Sequence, residues 1–272
     1  MSDQAINFKK LNKGKIDFLR MSFEELNSKL PKHVGIVNFK ISKTSFLILN
    51  ILNDDSSAVK FFWQDIHDLP SLDIWYDICM EEGLYIDVGA HTGLYTLTAF
   101  KANINNMLLC YEPFYLNMAR LVTNLRLNNI LKNFEINMKA VSNIDSERKF
   151  KIRSLEVDKS YLSKGGKIST KGETINTIKL DNIGISNYKK PLKGIKIDTE
   201  GEDFNVLLGS ENTIKYFRPK IIIEVRDEIK KEVQDFFNKY NYYLYDVLDT
   251  KNKINIKNLN IEGISNILCI PQ

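Results

Sequence analysis

A turn bounded by glycines is the first feature of the sequence whose residues could bind a ligand. It is formed by Tyr85-Ile-Asp-Val-Gly-Ala-His-Thr-Gly93, in which Asp87 lies near the end of a short apolar run. Gly89 and Gly93 would let the backbone approach a ligand and let the next helix pack against the strand. The spacing lacks the middle glycine of GxGxxG, which argues against a dinucleotide site. By itself, the pattern is equally typical of a tight strand-to-helix turn without a ligand.

The second feature is an acidic residue that could bind a diol, at a sequence spacing from the glycine turn that is typical of nucleotide-binding sheets. Glu112 ends a second apolar run, 112 − 93 = 19 residues after Gly93. A carboxylate about 20 residues beyond a glycine turn accepts hydrogen bonds from ribose hydroxyls in nucleotide-binding parallel sheets. The alternative is that Glu112 only places a favourable negative charge at the start of a helix. The spacing favours ribose binding.

A third feature is the acidic segment Lys196-Ile-Asp-Thr-Glu-Gly-Glu202, with three carboxylates in five residues. Mutual repulsion would raise the pKa of at least one of them if they are partly buried, and such a group could take a proton from a substrate hydroxyl. The group could instead bind a divalent cation. Glu202 is more simply explained as a helix cap than Asp198 is. Glu224, after another apolar run, is either a further site residue or a charge at a strand end.

Other arrangements of reactive side chains are missing from the sequence. His91 lies inside the glycine turn and is expected to face the ligand crevice, but it has no cysteine or His-x-Glu partner. Without a Gly-x-Ser-x-Gly motif, nucleophilic hydrolysis is unsupported. Without a Gly-Lys-Ser/Thr loop, an NTPase is disfavoured. Three unpaired cysteines argue against a disulfide framework or a zinc cluster.

The composition is that of an ordinary globular protein. The chain has 272 residues, of which 43% are hydrophobic and 26% charged, and a formal net charge of +4. This charge is well below that of many nucleic-acid-binding proteins, so no nucleic-acid partner is expected. The N-terminus shows no apolar signal-peptide core, and no apolar run approaches the roughly 20 residues needed to span a bilayer. We therefore expect a cytoplasmic protein without a membrane span.

The elements that must position these residues alternate between strand and helix from Leu84 onward, which predicts a parallel sheet with right-handed crossovers. The acidic residues then fall at the carboxyl edge of the sheet, where open α/β sheets bind ligands. The predicted strands are Leu84–Val88, Met107–Tyr111, Phe134–Met138, Ile195–Ile197 and Lys220–Val225, with Tyr242–Val247 and Ile264–Ile270 closing the sheet.

Two further parts complete the predicted domain organisation. Residues 1–70 are predicted to form a small α+β segment, called here the N-terminal extension. It has a capped helix over Met21–Leu30 and strands over Val34–Ile41, Thr44–Ile51 and Val59–Trp63. Residues 71–272 are predicted to form the main domain. Within it, the polar stretch 142–182 is predicted to be an inserted loop or hairpin near the active-site edge.

Taken in order, these segments resemble the FkbM family of S-adenosylmethionine-dependent methyltransferases. The resemblance runs from about Glu82 to Val225 and implies a class I methyltransferase, Rossmann-like fold. That fold is a seven-stranded, mostly parallel sheet with helices on both faces and one antiparallel strand near the edge. One departure is His91, where the family usually has the Asn of DVGAN. The segments that carry the resemblance are Ile86–Gly93, Tyr111-Glu-Pro113 with the following Asn117 and Asn124, Thr177–Asn182, Ile195–Glu202, Val206–Gly209 and Arg218–Val225.

The resemblance also implies roles for individual residues. The cofactor would be S-adenosylmethionine, and the reaction would be O-methylation of a hydroxyl of a sugar in a surface glycan or of a secondary metabolite. The preferred proton acceptor is Asp198. Glu200 and Glu224 are the next candidates, and His91 is the last. No metal site is assigned. The implied cofactor contacts are Asp87, Gly89, Ala90, His91 and Gly93 for the methionine part, Glu112 for the ribose, Pro113 and Phe114 for the adenine, and Asp198 for the methyl end.

Three alternatives remain open at this point. An RNA or protein N-methyltransferase is allowed by the lysines of Ser160–Lys171, although the Asp/Asn-Pro-Pro-Tyr/Phe motif of many such enzymes is absent. A non-catalytic module could bind a partner through the N-terminal extension. A nicotinamide-dependent oxidoreductase is disfavoured by the glycine spacing. The identity of the small-molecule or glycan acceptor and the oligomeric state are not indicated by the sequence.

Overall fold

The structure is a computed structural model that describes residues 2–51, 55–65, 70–152, 166–258 and 264–272. The helices are α1 (Ser2–Asn12), α2 (Phe23–Lys29), α3 (Ser56–Gln64), α4 (Pro70–Cys79), α5 (Leu94–Ala102), α6 (Tyr115–Leu127), α7 (Asp203–Leu208), α8 (Glu211–Phe217) and α9 (Lys230–Lys239). The strands are β1 (Val34–Lys40), β2 (Ser45–Ile51), β3 (Leu84–Val88), β4 (Met107–Tyr111), β5 (Phe134–Asn137), β6 (Ala140–Val141), β7 (Ser146–Ile152), β8 (Gly166–Ser169), β9 (Glu173–Ile178), β10 (Leu192–Ile197), β11 (Lys220–Arg226), β12 (Tyr242–Asp246), β13 (Asp249–Lys253) and β14 (Ile264–Pro271).

A mixed sheet of eight strands, in the order β13-β12-β14-β11-β10-β3-β4-β5, forms the centre of this α/β fold. Neighbouring strands from β11 to β5 pair in parallel, and β14 is antiparallel to both β11 and β12. The prediction of seven strands is wrong because β13 pairs with β12 as an eighth, edge strand. All five residues of β13 are exposed and polar, so no apolar pattern marks it in the sequence.

Both faces of the sheet are buried, because β3, β4, β10 and β11 direct alternate side chains to opposite sides. On one face, Ile86, Ile195 and Ile223 belong to a core that also contains residues of α7 and α9. On the other face, Tyr85 joins a core that contains residues of α4, α5 and α6. Complete burial of one such aliphatic side chain contributes about 1.5–3 kcal/mol, so this two-sided core holds the strand ends in place.

The direction in which the chain crosses the sheet reverses beside β3. From β3 the chain passes through β4 to β5, and it then returns to β10 and β11 on the other side of β3. Asp87 of β3 is the register partner of Lys196 on β10 and of Cys110 on β4. A crevice forms at such a switch point at the carboxyl ends of the strands. The fold therefore brings the predicted site segments together at one edge.

In the N-terminal extension, the structure confirms helix α2 and strands β1 and β2 and corrects one further prediction. Helix α2 begins at Ser22 with a capping box in which Ser22 and Glu25 bond each other's main-chain amides. The strand predicted over Val59–Trp63 is wrong, because this segment lies in helix α3. Its β-branched and aromatic residues suggested a strand, but Asp55 caps a helix start by accepting from the Ala58 amide at 2.8 Å.

Side chains of α6 bind the edge of the β1–β2 hairpin. The amide of Leu49 donates to Asn124 Oδ1 at 2.9 Å, and the amide of Leu47 donates to Asn128 Oδ1 at 2.9 Å. Arg120 donates to the Leu49 carbonyl at 2.8 Å. Strand-edge groups that would otherwise be unpaired are satisfied in this way, and the hairpin is fixed against the main sheet.

The stretch 142–182 forms more than the predicted loop or hairpin. Its strands, with β6 before it, make a second sheet of order β6-β9-β7-β8. This sheet joins the carboxyl edge through Ser142, whose hydroxyl donates to Glu202 at 2.8 Å. Of the lysine-rich segment Ser160–Lys171, the residues up to Gly165 lie outside the described part. Among the described residues, no helix combines the length and apolarity needed to cross a bilayer.

Candidate active site

The predicted site residues lie at the carboxyl ends of four neighbouring strands. Strands β11, β10, β3 and β4 are adjacent in the sheet, and each contributes acidic side chains to the same edge. In strand order these residues are Glu224 on β11, Asp198 and Glu200 after β10, Asp87 on β3 with Gly89, Ala90, His91 and Gly93 after it, and Glu112 with Pro113 and Phe114 after β4.

The first glycine of the turn is required by a contact within the protein. Gly89 has φ +80°, and a Cβ placed on it would lie 1.8 Å from the carbonyl oxygen of Asp198. The amide of Asp198 donates to the Val88 carbonyl at 3.0 Å, which keeps the two loops in contact. Gly93 has φ +98° and precedes α5. Because Gly89 has no Cβ, the turn after β3 can pack directly against the loop after β10.

Asp87 is buried at the switch point and is 1% exposed. Its Oδ2 accepts a hydrogen bond from Thr96 Oγ1 at 2.6 Å. Burial raises the pKa of Asp87 to about 6, although this hydrogen bond and the nearby Lys196 ammonium oppose the shift. Asp87 is therefore a carboxyl group that titrates near neutral pH.

Glu112 is fixed by the main chain on both sides of its carboxylate. Its Oε2 accepts from the amide of His91 at 3.0 Å, and its Oε1 accepts from the amide of Phe114 at 2.8 Å. The residue is 5% exposed, and burial raises its pKa, an effect that His91, the two amides and Asn117 reduce. The two amides and Asn117 use part of the acceptor capacity of the carboxylate, about four lone pairs, and the remainder is available to a ligand donor.

Asn117, which belongs to the segments that carry the family resemblance but was given no role from the sequence, has an unpaired acceptor near Glu112. It lies in the first turn of α6 and is 1% exposed, and its Oδ1 has no hydrogen-bond partner among the described residues. A buried amide oxygen without a partner costs free energy unless a ligand or water satisfies it. The sequence signal is an asparagine five residues after Glu112, on a helix that starts at the carboxyl edge.

The side chains next to Glu112 and in the glycine turn are mostly apolar. Ala90 and Phe114 are each 4% exposed. Phe114 packs edge-on against Tyr115 with 5.3 Å between ring centroids, and Tyr115 is half-exposed. Pro113 connects this pair to the end of β4. An aromatic surface beside Glu112 is the place where the predicted adenine contacts fall.

The loop after β10 presents Asp198 and is braced by Asp203. The side chain of Asp198 is 36% exposed, and its Oδ2 lies 3.5 Å from Lys196 Nζ. Asp203 is fully buried and accepts from the amides of Thr199 at 2.9 Å and Gly201 at 3.1 Å. The side chain of Glu202 does not cap α7, contrary to the prediction. It accepts from Ser142 and Asn205 instead.

Lys196 is a buried cation that sequence analysis quoted without giving it a role. It is 0% exposed, and Nζ donates to Asn266 Oδ1 at 3.0 Å and lies 4.8 Å from the ring centroid of Tyr95. Burial alone would lower the pKa of Lys196, but Tyr95, Asp198 and the other acidic neighbours outweigh it and raise the pKa. The signal in the sequence is a lysine between two isoleucines, Ile195 and Ile197, in a short apolar run.

Glu224 and Glu200 share one guanidinium group. Arg226 Nη2 lies 2.9 Å from Glu224 Oε1 and 3.0 Å from Glu200 Oε2. Burial, together with Asp198 and Asp203, raises the pKa of Glu224 to about 8 despite Arg226. Glu200 has φ +58°, an unusual conformation for a residue with a side chain. Arg226 was not predicted; its signal is a basic residue two positions after Glu224.

His91 contributes to the site through its backbone. It has φ +48°, and its amide donates to Glu112. Its Nδ1 lies 3.4 Å from Thr92 Oγ1, too long for a strong hydrogen bond. Within the described segments, no cluster of three or more His, Cys, Asp or Glu side chains is arranged to bind a metal ion.

A family model described as "Methyltransferase FkbM domain" matches residues 87–249, more than half of the chain. The fold and this match define a methyltransferase. The chain belongs to the FkbM methyltransferase family, which confirms the resemblance seen in the sequence. No protein of curated function matches.

Solved structures resemble the chain only distantly. An FkbM methyltransferase from Methylobacillus flagellatus KT has a TM-score of 0.49 at 12% identity, with 79% of this chain and 54% of that chain covered, so the match spans about half of that protein. Precorrin-6y C5,15-methyltransferase from Geobacter metallireducens GS-15 has 0.43 at 8%, covering 76% and 90%. TYW2 of M. jannaschii in complex with AdoMet has 0.42 at 12%, covering 86% and 84%.

Proposed function

We propose that the protein is an S-adenosylmethionine-dependent O-methyltransferase that acts on a hydroxyl of a sugar in a surface glycan or of a secondary metabolite. The observation that carries the proposal is the carboxylate of Glu112. It is nearly buried, held by two main-chain amides, and placed beside the glycine turn in a chain of a methyltransferase family. A carboxylate fixed in this way suits a ribose diol.

The residues around Glu112 fit the cofactor. Glu112 would accept from the ribose hydroxyls, and the orphan Oδ1 of Asn117 would accept from a ligand hydroxyl or amino group. Phe114 and Tyr115 would lie on the adenine side. The backbone of the glycine turn would face the methionine part, as Gly89, Ala90 and Gly93 are expected to do.

Negative charge at the switch point would favour a cation. Asp87, Asp203 and Glu224 all have raised pKa values, with burial as the main cause and Asp198 as a contributor in each case. When bound, S-adenosylmethionine supplies an activated methyl group on a positively charged sulfonium. A cation bound at this edge would be stabilised by those carboxyl groups that are ionised, and it would lower their raised pKa values.

Asp198 is our preferred acceptor for the hydroxyl proton. Its side chain is 36% exposed, so an incoming acceptor molecule can reach it. The ion pair with the buried Lys196 orients the carboxylate. Glu224 is less suited as a base at pH 7, because a pKa of about 8 keeps it mostly protonated. Alignment of the acceptor should supply most of the rate enhancement, and a positioned base adds about 10²–10⁴-fold.

The binding step is tested by calorimetric titration with S-adenosylmethionine and S-adenosylhomocysteine, with NADH as the ligand control. We expect micromolar binding of the first two by the wild type and at least about tenfold weaker binding by Glu112→Gln. The amide group of glutamine would turn a donor toward one of the two backbone amides. Glu147→Gln, an exposed change on β7, is the matched control. A folded wild type that binds neither ligand contradicts the proposal.

The acceptor is tested with labelled S-adenosylmethionine. Mono- and oligosaccharides, RNA and protein extracts are offered in parallel, and the position of the label is read by mass spectrometry. Label on a sugar or metabolite oxygen supports O-methylation. Label on nitrogen of RNA or protein overturns it and favours the N-methyltransferase alternative.

A further inference from the structure

Thr92, between His91 and Gly93, is held by two polar contacts at once. It is 1% exposed, and its hydroxyl donates to Oδ2 of Asp55. Its carbonyl accepts from Asn124 Nδ2 at 2.8 Å. The neighbouring amide of His91 is the one that binds Glu112. The position of Thr92 therefore bears directly on the geometry around Glu112.

Asp55 is a buried carboxylate that uses both of its oxygens. It is 1% exposed, Oδ1 accepts from the amide of Ala58 at 2.8 Å, and Oδ2 accepts from Thr92. Hydrogen bonds to an ionised group are about twice as strong as neutral ones, and a buried charge that loses a partner is costly. The contact between Asp55 and Thr92 is therefore a strong link from α3 to the glycine turn.

A second link runs from β2 to the same residue. Asn124 accepts from the Leu49 amide at 2.9 Å through Oδ1 and donates to Thr92 through Nδ2. Asp55 and Leu49 both belong to the N-terminal extension and lie outside residues 87–249, which match the family. A segment outside the family domain thus contacts the glycine turn of that domain twice, directly through Asp55 and indirectly through Asn124.

We infer that Asp55 is a positioning residue for the cofactor site, so that the N-terminal extension completes this site through Thr92. The inference rests on the proposed function, because it concerns affinity for S-adenosylmethionine and its product. Asp55 acts by fixing the hydroxyl of Thr92, which sets the His91 amide and hence the carboxylate of Glu112. The extension thereby controls cofactor affinity through the position of Glu112.

The test compares S-adenosylhomocysteine affinity, measured by calorimetry, with the midpoint of thermal unfolding. Thr92→Val removes the hydroxyl at nearly constant volume and is expected to weaken binding at least about tenfold, and Thr92→Ser to restore it to within about twofold. Asp55→Asn keeps a good helix cap and is expected to weaken binding several-fold. In the double variant Asp55→Asn/Thr92→Val the two losses should not add, because they break one contact.

The matched control is Thr98→Val. Like Thr92, Thr98 is buried, but its hydroxyl donates within helix α5, to the Leu94 carbonyl at 2.8 Å. It should lower the melting temperature while leaving affinity unchanged. If Thr92→Val and Asp55→Asn both bind like the wild type, the inference is overturned and the link is only structural. If the folded wild type itself does not bind, the proposed function fails and the inference falls with it. Should Thr92→Val not fold, Asp55→Asn alone decides.

Discussion

The two halves of the carboxyl edge hold their acidic groups by different means. In the β3–β4 half, Glu112 accepts from two main-chain amides, those of His91 and Phe114. In the β10–β11 half, Asp198 is paired with the side chain of Lys196, and Glu224 and Glu200 are paired with that of Arg226. The fully buried Asp203 of this half accepts from main-chain amides instead. The first half is nearly sealed, while the side chains of Asp198 and Glu200 are about one-third exposed.

This difference separates what the fold fixes from what single side chains fix. A main-chain donor cannot be replaced by mutation and moves only with its loop, so the geometry around Glu112 follows from the backbone. An ion pair of side chains can rearrange or be exchanged when a different molecule enters. Under the proposed function, the β3–β4 half would hold the unchanging ligand, the cofactor, and the β10–β11 half would receive the variable acceptor.

Removing the buried cation is the strongest way to break the β10–β11 half. Lys196→Met should lower the free energy of unfolding by about 3–5 kcal/mol, because Asn266 and several carboxyl groups then lose their buried cationic partner. Urea denaturation measures the change. The control Lys193→Met removes a largely exposed pair with Glu81 and should cost less than about 1 kcal/mol. Equal effects of the two changes would mean that Lys196 is not central to this half.

Gly89→Ala tests the contact between the turn after β3 and the loop after β10, where the two halves meet. Its Cβ would collide with the Asp198 carbonyl, so the variant should lose about 3 kcal/mol of unfolding free energy. Gly14→Ala is a close control, because Gly14 has φ +82° but no heavy atom within 4 Å of the added Cβ. It should lose only about 1 kcal/mol from the backbone conformation. A Gly89→Ala protein as stable as Gly14→Ala would show that the two loops are not in contact.

The prediction with the smallest expected effect concerns Glu224→Gln and the pH dependence of its free energy of unfolding. Burial raises the pKa of Glu224 from 4.5 to about 8, so between these values the folded state binds a proton that the unfolded state has lost. This contribution to stability is complete below pH 4.5 and is lost as the pH rises to about 8. Glutamine stays neutral throughout. The unfolding free energy of the variant minus that of the wild type should therefore increase by at least about 1 kcal/mol over this window and be constant above it.

Chemical denaturation at intervals of half a pH unit measures this difference. A difference that stays constant from pH 4.5 to 8 would show that Glu224 is charged in the folded protein at neutral pH. It would then compete with Asp198 as the proton acceptor, and the distinction between the two groups would be lost.

The local patterns in the sequence predicted much of the site. The glycine turn, the spacing to Glu112 and the acidic run from Asp198 are features of neighbouring residues, and each lies where the alternation of strands and helices placed it. The prediction of a strand over Val59–Trp63 was wrong, and the reason is also local. The cap at Asp55 outweighed the β propensity of the five residues, and the helix buries Val59 and Trp63.

The partners of these residues were harder to predict, because they come from distant parts of the chain. Nothing near Lys196 in the sequence names Asn266, 70 residues away, as its hydrogen-bond partner. Nothing near Thr92 names Asp55, 37 residues earlier. Strand β13 went unnoticed because an exposed edge strand needs no apolar residues.

The sequence by itself determined the main strands β3, β4, β5, β10 and β11, the positions of Glu112 and Asp198 relative to the glycine turn, and the family. These depend on periodicity and on spacing along the chain, which the sequence records directly. Only the tertiary structure decided which acidic groups are buried, which are paired with main chain and which with side chains, and why Gly89 must be a glycine. Burial and pairing depend on distances through space, and here the contact that excludes a side chain at Gly89 comes from Asp198, on another strand's loop.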